Sequence, residues 1–193
     1  MSKKDLLFIT EGEIDEPKVI EKFLNKCIFN VEYTIYSYST TIHTLAKMIF
    51  NKKGEIDEEL DIKKVLKEQE NNLAKRKILE KDYTDIILVF DFEPHYNSPE
   101  FEKVGKMLEY FSDSADMGKL YINYPMMQSY KHIKRLPDNE FKNRIVETMD
   151  ASNYKKIVEK ESKLKKLKDY NFPVCMQIIV HHLINCSCSK CML

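Results

Sequence analysis

The chain has 193 residues, 43% of them hydrophobic and 32% charged, with only four Gly and six Pro. That composition describes a globular, helix-rich domain with a sizeable core and excludes a disordered chain. No apolar stretch approaches the roughly 20 residues that span a bilayer, and the apolar run after the N-terminal lysines is too short for a signal peptide. A cytoplasmic protein without membrane association is therefore expected. The zero net charge hides an asymmetry: residues 119–193 carry 14 Lys+Arg against 7 Asp+Glu, and residues 1–118 carry 17 against 24. An acidic half beside a basic half suits a metal site next to a phosphate-binding surface, and equally suits a Lys-rich helical tail. Five cysteines, an odd number without secretory context, argue against a disulfide framework.

Residues 6–10 form a short apolar run that reads as a buried strand. Pro17 suits the first turn of a following helix, capped by Asp15 or Glu16, with Val19, Ile20, Phe23, Leu24 and Cys27 as its apolar stripe. Residues 31–39, "VEYTIYSYS", alternate β-branched and aromatic side chains and predict a second strand. A helix is expected over 41–50. The charged segment 51–83 has sparse apolar residues and predicts a long exposed helical insertion, about 52–82. Residues 85–93, "DIILVFDFE", are apolar on both faces and predict the central strand of a parallel sheet. A helix over 99–112 and a fourth strand, "KLYINYP", follow; helical patterns then dominate from Met126, with breaks near Pro137, Asp150 and Phe172. The alternation predicts an α/β fold, a mostly parallel four-stranded sheet flanked by helices over 1–135, with a helical extension over 136–193.

In such sheets functional groups gather at the carboxyl ends of the strands. Glu11 follows the first strand; Asp91 and Glu93 end the third. Magnesium and manganese prefer hard oxygen ligands. Glu11, Asp91 and Glu93 could supply them, and Asp15, at the start of the first helix, could reach the same ion. A cation there could activate water and stabilise charge on a phosphoryl group, provided the Glu11 and Asp91 carboxylates lie within roughly 10 Å. Glu13 and Glu16 read as helix-start acids. A dinucleotide loop and a P-loop are absent, because "TEGEIDEP" holds a single Gly. Phosphorylation of Asp91 in the manner of a receiver domain is a third chemistry.

The pattern E-G-x-x-D after the first strand, "EGEID", with D-x-[DE] ending the third, "VFDFE", resembles the Toprim domain. That domain is shared by topoisomerases, bacterial primases and the nucleases of the overcoming-lysogenization-defect type. The resemblance covers about residues 5–135. It implies a Rossmann-like layer in which Glu11 is a metal ligand or general acid/base and Asp91 and Glu93 are metal ligands. Asp15 matches an extra acid of the two-metal nucleases, and Lys131 is nearest to the lysine that assists catalysis in that group. Glu93 stands where the family usually has Asp, and Gln128 and Ser129 occupy the region where the two-metal group carries an acid. The chain has no topoisomerase tyrosine context, primase zinc domain or ATPase module. The resemblance thus implies a small Mg²⁺- or Mn²⁺-dependent nuclease acting on DNA or RNA, of the kind found in anti-phage or mobile-element systems beside a separate ATPase. The alternative it leaves is a degenerate Toprim-like subunit that binds or regulates a partner ATPase or binds a nucleotide.

Lys131, His132, Lys134 and Arg135 follow the fourth strand and could hold a phosphate backbone, or form a basic helix face. His95 reads as a loop histidine. The segment 153–170 reads as a surface helix. At the C-terminus, Cys186, Cys188 and Cys191 in a C-x-C-x-x-C run, with His182 one turn earlier, could bind Zn²⁺ or be free thiols.

Overall fold

Side-chain alternation along the first strand sets up both layers of the computed structural model, which describes residues 4–28, 31–97 and 99–186. In β1 (Lys4–Thr10), Leu7 and Ile9 enter the larger core, while Leu6 and Phe8 turn to the opposite face. Helix α1 (Asp15–Cys27) covers that second face with Ile20 and Leu24. After β2 (Val31–Ser37) the chain enters α2 (Ile42–Ile49), α3 (Ile62–Gln69) and α4 (Leu73–Leu79), reaches β3 (Asp85–Asp91), and continues through α5 (Phe101–Tyr110) to β4 (Ser112–Asp113) and β5 (Gly118–Asn123). The larger core lies under α2, α3 and α5, where Ile42, Leu45, Leu66, Val104 and Met107 meet Leu7, Leu88 and Phe90.

The sheet order is β2-β1-β3-β5-β4, parallel throughout except for the β4/β5 pair. The sheet therefore has five strands where four were expected. The addition is a two-residue strand, Ser112 and Asp113, folded back on Lys119 and Gly118. It is too short to carry a hydrophobic pattern. Gly118 closes this hairpin at φ 106°, and a Cβ there would come within 2.9 Å of Leu88 Cδ1.

The charged insertion also differs from expectation, being two short helices. Asp61 accepts from the amides of Lys63 and Lys64 at 2.9 and 3.3 Å, and Asn72 does the same for Ala74 and Lys75 at 2.9 and 3.3 Å. Each cap starts a new helix. The insertion is not merely exposed, since Leu60, Ile62, Leu66 and Leu79 join the main core. Helix α1 likewise begins after Ile14, with no side-chain cap from Asp15 or Glu16.

Beyond β5, short 3₁₀ helices at 127–131, 141–143 and 148–153 lead to α6 (Tyr154–Glu161), and another at 167–169 precedes α7 (Phe172–Cys186). The helix expected over 153–170 stops at Glu161, after which Leu164 and Tyr170 turn inward. This extension has its own core of Ile133, Phe141, Leu164, Tyr170, Cys175 and Ile178, seated on Phe23 and Cys27 of α1. Among the described residues no helix is long and apolar enough to cross a membrane.

Candidate functional site

Strand β1 has β2 on one side and β3 on the other, so the chain departs in opposite directions from their shared carboxyl edge. A crevice at such a point is where α/β sheets place ligands. Thr10 is level with Val89, and Asp91 with Asn123, so the last residues of β1, β3 and β5 meet along one edge.

Glu11 crosses the seam. Its amide donates to the Val89 carbonyl at 3.2 Å, and its carboxylate Oε2 accepts from the Asp91 amide at 3.1 Å. Asp91 Oδ1 accepts from the Met127 amide at 2.7 Å and from Asn123 Nδ2 at 3.1 Å. Glu93 follows at φ 45°, a left-handed conformation that non-glycine residues seldom adopt, and its carboxyl shares a hydrogen bond with Glu11. Glu16 leans back from α1 over Gly12, where a methyl group would collide with its carboxylate.

These acids hold their protons unusually well. Burial, reinforced by the charges of Glu93, Asp91 and Glu16, pushes Glu11 up to about 8 against the pull of the Asp91 amide. Burial also pushes Asp91 up to about 7, with Glu16 and Glu93 adding and the Asn123 and Met127 hydrogen bonds opposing. Glu93 is raised by burial too. Among the described residues no ion pair reaches Glu11, Glu16, Asp91 or Glu93. Glu13, two residues from Glu11, behaves oppositely. Ser39 Oγ donates to it at 2.6 Å and Lys75 at 3.0 Å, holding its carboxyl below the usual range. It braces the end of β2 and takes no part in the cluster.

The structure thus brings Glu11, Asp91 and Glu93 together, with Glu16 as the further acid acting on both Glu11 and Asp91. Asp15, the fourth ligand expected, exerts its charge on Tyr130 at the root of the extension. Lys131 is half-buried at the end of the 127–131 turn, the turn whose Met127 amide holds Asp91. Of the expected phosphate contacts, His132 is a correction. It is 4% exposed, with Nδ1 at 3.0 Å from the Tyr154 hydroxyl and Nε2 at 3.1 Å from Glu161, and so belongs to the interior of the extension. Lys134 pairs with Glu161 at 2.8 Å and keeps half its side chain in solvent; Arg135 is exposed. His182 Nε2 lies 3.3 Å from the Tyr130 carbonyl and its ring rests on Phe141. Cys186 ends α7, while Cys188 and Cys191 lie outside the described residues.

Two supporting residues escaped the sequence reading. Asn123 obeys the same strand-end rule as Asp91 and could have been found by it. His43 gives no such signal. It is fully buried at the start of α2, its Nε2 donates to the Phe92 carbonyl at 3.2 Å, and its Nδ1 accepts from the Glu100 amide at 3.2 Å. That ring pins the loop carrying Glu93.

The donor set is entirely hard oxygen, and among the described residues no Lys or Arg forms an ion pair with it, which suits Mg²⁺ or Mn²⁺. Among the described residues, however, no group of three or more His, Cys, Asp or Glu is already drawn together as a ligand set. The acids converge through hydrogen bonds and charge, without closing into a coordination shell. Fold and site together define an α/β layer with an acid cluster at its switch point. No protein-family model, curated protein or solved structure matches the chain.

Proposed function

We propose that this protein is a Toprim-like, metal-dependent nuclease. The observation that carries the reading is the Glu11 carboxylate bonded to the Asp91 amide across the β1/β3 seam, among acids that, within the described residues, no lysine or arginine pairs with. Glu11, Asp91 and Glu93 would hold Mg²⁺ or Mn²⁺, with Glu16 adding charge and Asp15 the alternative fourth acid. A bound divalent ion supplies Lewis acidity for a phosphoryl oxygen and for a water nucleophile. The chain contributes the rest. Met127 and Asn123 fix the Asp91 carboxylate, and His43 fixes the loop that presents Glu93. As a ligand Glu11 would release, on binding the cation, the proton that burial makes it hold; as the general acid/base instead, its raised carboxyl would exchange a proton close to neutral pH. Lys131, Lys134 and Arg135 are the cations offered to the phosphate backbone.

A second reading, a binding or regulatory subunit for a partner ATPase or a nucleotide, is favoured by one observation: the acids form no ready ligand set. Cleavage assays on DNA and RNA with Mg²⁺, Mn²⁺ or EDTA separate the two. The nuclease reading expects metal-dependent cleavage by the wild type that Glu11→Ala and Asp91→Ala abolish. Equal, metal-independent background in all three supports the binding subunit.

A further inference from the structure

A cavity of about 480 Å³, with Glu93 in its lining, lies within the range of small-ligand sites. One wall is the β3–α5 loop, with Pro94, His95, Tyr96 and Asn97; the other is Met126 and the 148–153 turn of the extension, with Ala151 and Ser152. We propose that this cavity receives one unpaired nucleobase, so that the substrate of the acid cluster is single-stranded or locally unpaired nucleic acid. This inference deepens the nuclease reading and rests on it.

Three features support that occupant. The lining is chemically that of a base site: rings and apolar surface for the π-face, with the Asn97 amide and Ser152 hydroxyl able to meet hydrogen-bonding edges. The aromatic wall is held in place before anything binds. Tyr96 stacks on His43 with ring centres 5.0 Å apart and planes 20° apart, and its hydroxyl lies 3.2 Å from Thr44 Oγ1. Rigid rings of this kind lose little freedom on stacking a base. Finally, the aromatic surface continues past the cavity through the acid motif itself. Phe92, between Asp91 and Glu93, stacks on Phe101 at 5.3 Å and meets Tyr124 at 5.5 Å, and Phe101 and Tyr124 are 43% and 40% exposed. Solvent-facing aromatics flanked by cations are the mark of surfaces that track a single strand. Lys47, exposed and 5.4 Å from the centre of the Tyr96 ring, supplies a cation on that side.

A duplex fits poorly. A paired base stacked on its neighbours cannot enter a cavity with two walls, whereas an extruded or unpaired base can. The second wall belongs to the extension, which gives that appendage a task beyond packing on α1.

The test is fluorescence anisotropy with the full chain and labelled 12-residue oligonucleotides, in EDTA and again with Ca²⁺ replacing Mg²⁺. The probes are a DNA single strand, an RNA single strand, a DNA single strand with a central abasic site, the DNA duplex and a free nucleoside monophosphate. Single strands should bind at least about tenfold tighter than duplex, and the abasic strand should lose several-fold, as removal of one stacked base does. Ser152→Phe fills the cavity from an exposed position and should lower single-strand affinity about tenfold with an unchanged melting temperature. Asn97→Ala should lower it several-fold and alter base preference. Equal binding of duplex and single strand, or indifference to both substitutions, overturns the proposal. Tight binding of the monophosphate alone, without strand preference, also overturns it and points to a free nucleotide. If the single-strand preference holds while no metal yields cleavage, the nuclease reading fails and the base cavity stands. If cleavage occurs without the preference, the cavity alone fails.

Discussion

In the C-terminal extension, Asp138 is 4% exposed, and burial alone would push its carboxyl up. The Lys134 amide at 3.0 Å and the Arg144 guanidinium at 3.0 Å pull it below the usual range instead. Glu161 is lowered in the same region by Lys134 and His132. At the sheet edge, Glu11 and Asp91 are half-buried, yet each is raised, and among the described residues neither makes an ion pair. The extension balances its own buried charge; the sheet edge leaves the balance to protons or to something from outside. Buried charge without an internal partner is costly, and such sites are where function tends to concentrate.

Breaking the balanced region should produce the largest effect. Asp138→Ala or Arg144→Ala strands one member of a buried pair and should cost about 3–5 kcal/mol in urea unfolding. Glu11→Gln at the sheet edge should instead leave stability unchanged or slightly higher, because it removes an unbalanced acid. The same Glu11→Gln, and Asp91→Asn, should lower metal-dependent cleavage more than roughly 100-fold, beyond the range typical of residues that only support a ligand.

pH should separate the regions by sign. Raised folded-state values mean that the native sheet edge binds more protons than the unfolded chain between about pH 4 and pH 8. Its contribution to stability is complete below the ordinary carboxylate range and is lost as pH rises through about 7 for Asp91 and about 8 for Glu11. The lowered Asp138 and Glu161 contribute above that range and fail as pH falls below it. Thermal melts should therefore show a decline toward pH 8 that Glu11→Gln and Asp91→Asn flatten and that Mg²⁺ or Mn²⁺ reverses. A smaller effect is expected at Glu93, whose left-handed backbone costs roughly 1 kcal/mol. Glu93→Gly should recover about that much stability in urea while lowering cleavage. Smallest of all, Gly12→Ala should displace the Glu16 carboxylate, changing stability by less than about 0.5 kcal/mol. In carboxyl NMR titrations it should let Asp91 titrate lower.

The meeting of Glu11 with Asp91 was legible because two apolar runs end in acids, and parallel strands point their ends one way. The identity of the next acid was not. Successive residues on a helix point about 100° apart. Whether Asp15 or Glu16 turns to the cluster thus depends on where α1 begins, and it begins after Ile14 without the expected cap. The insertion misread because its apolar residues are few, whereas Asp61 and Asn72 interrupt it by capping, a local signal that outweighed the sparse pattern. His132 looked like one more cation in a basic run. Only the arrival of Tyr154 and Glu161 from α6 makes it an interior residue.

The pairing of β1 with β3 has a further consequence, for the order of events in folding. Leu6 registers with Asp85 and Thr10 with Val89, partners separated by the whole of α1 through α4. Loop closure over that length is unfavourable until the contacts form, and parallel topologies with such distant contacts fold slowly. Strand β1 can zip to β2 early, but its other edge must wait for residues 85–89 to be made and delivered. Glu11 therefore stands without Asp91 while the 80 residues from Gly12 to Asp91 are made, and the acid cluster comes into being only when the central seam closes.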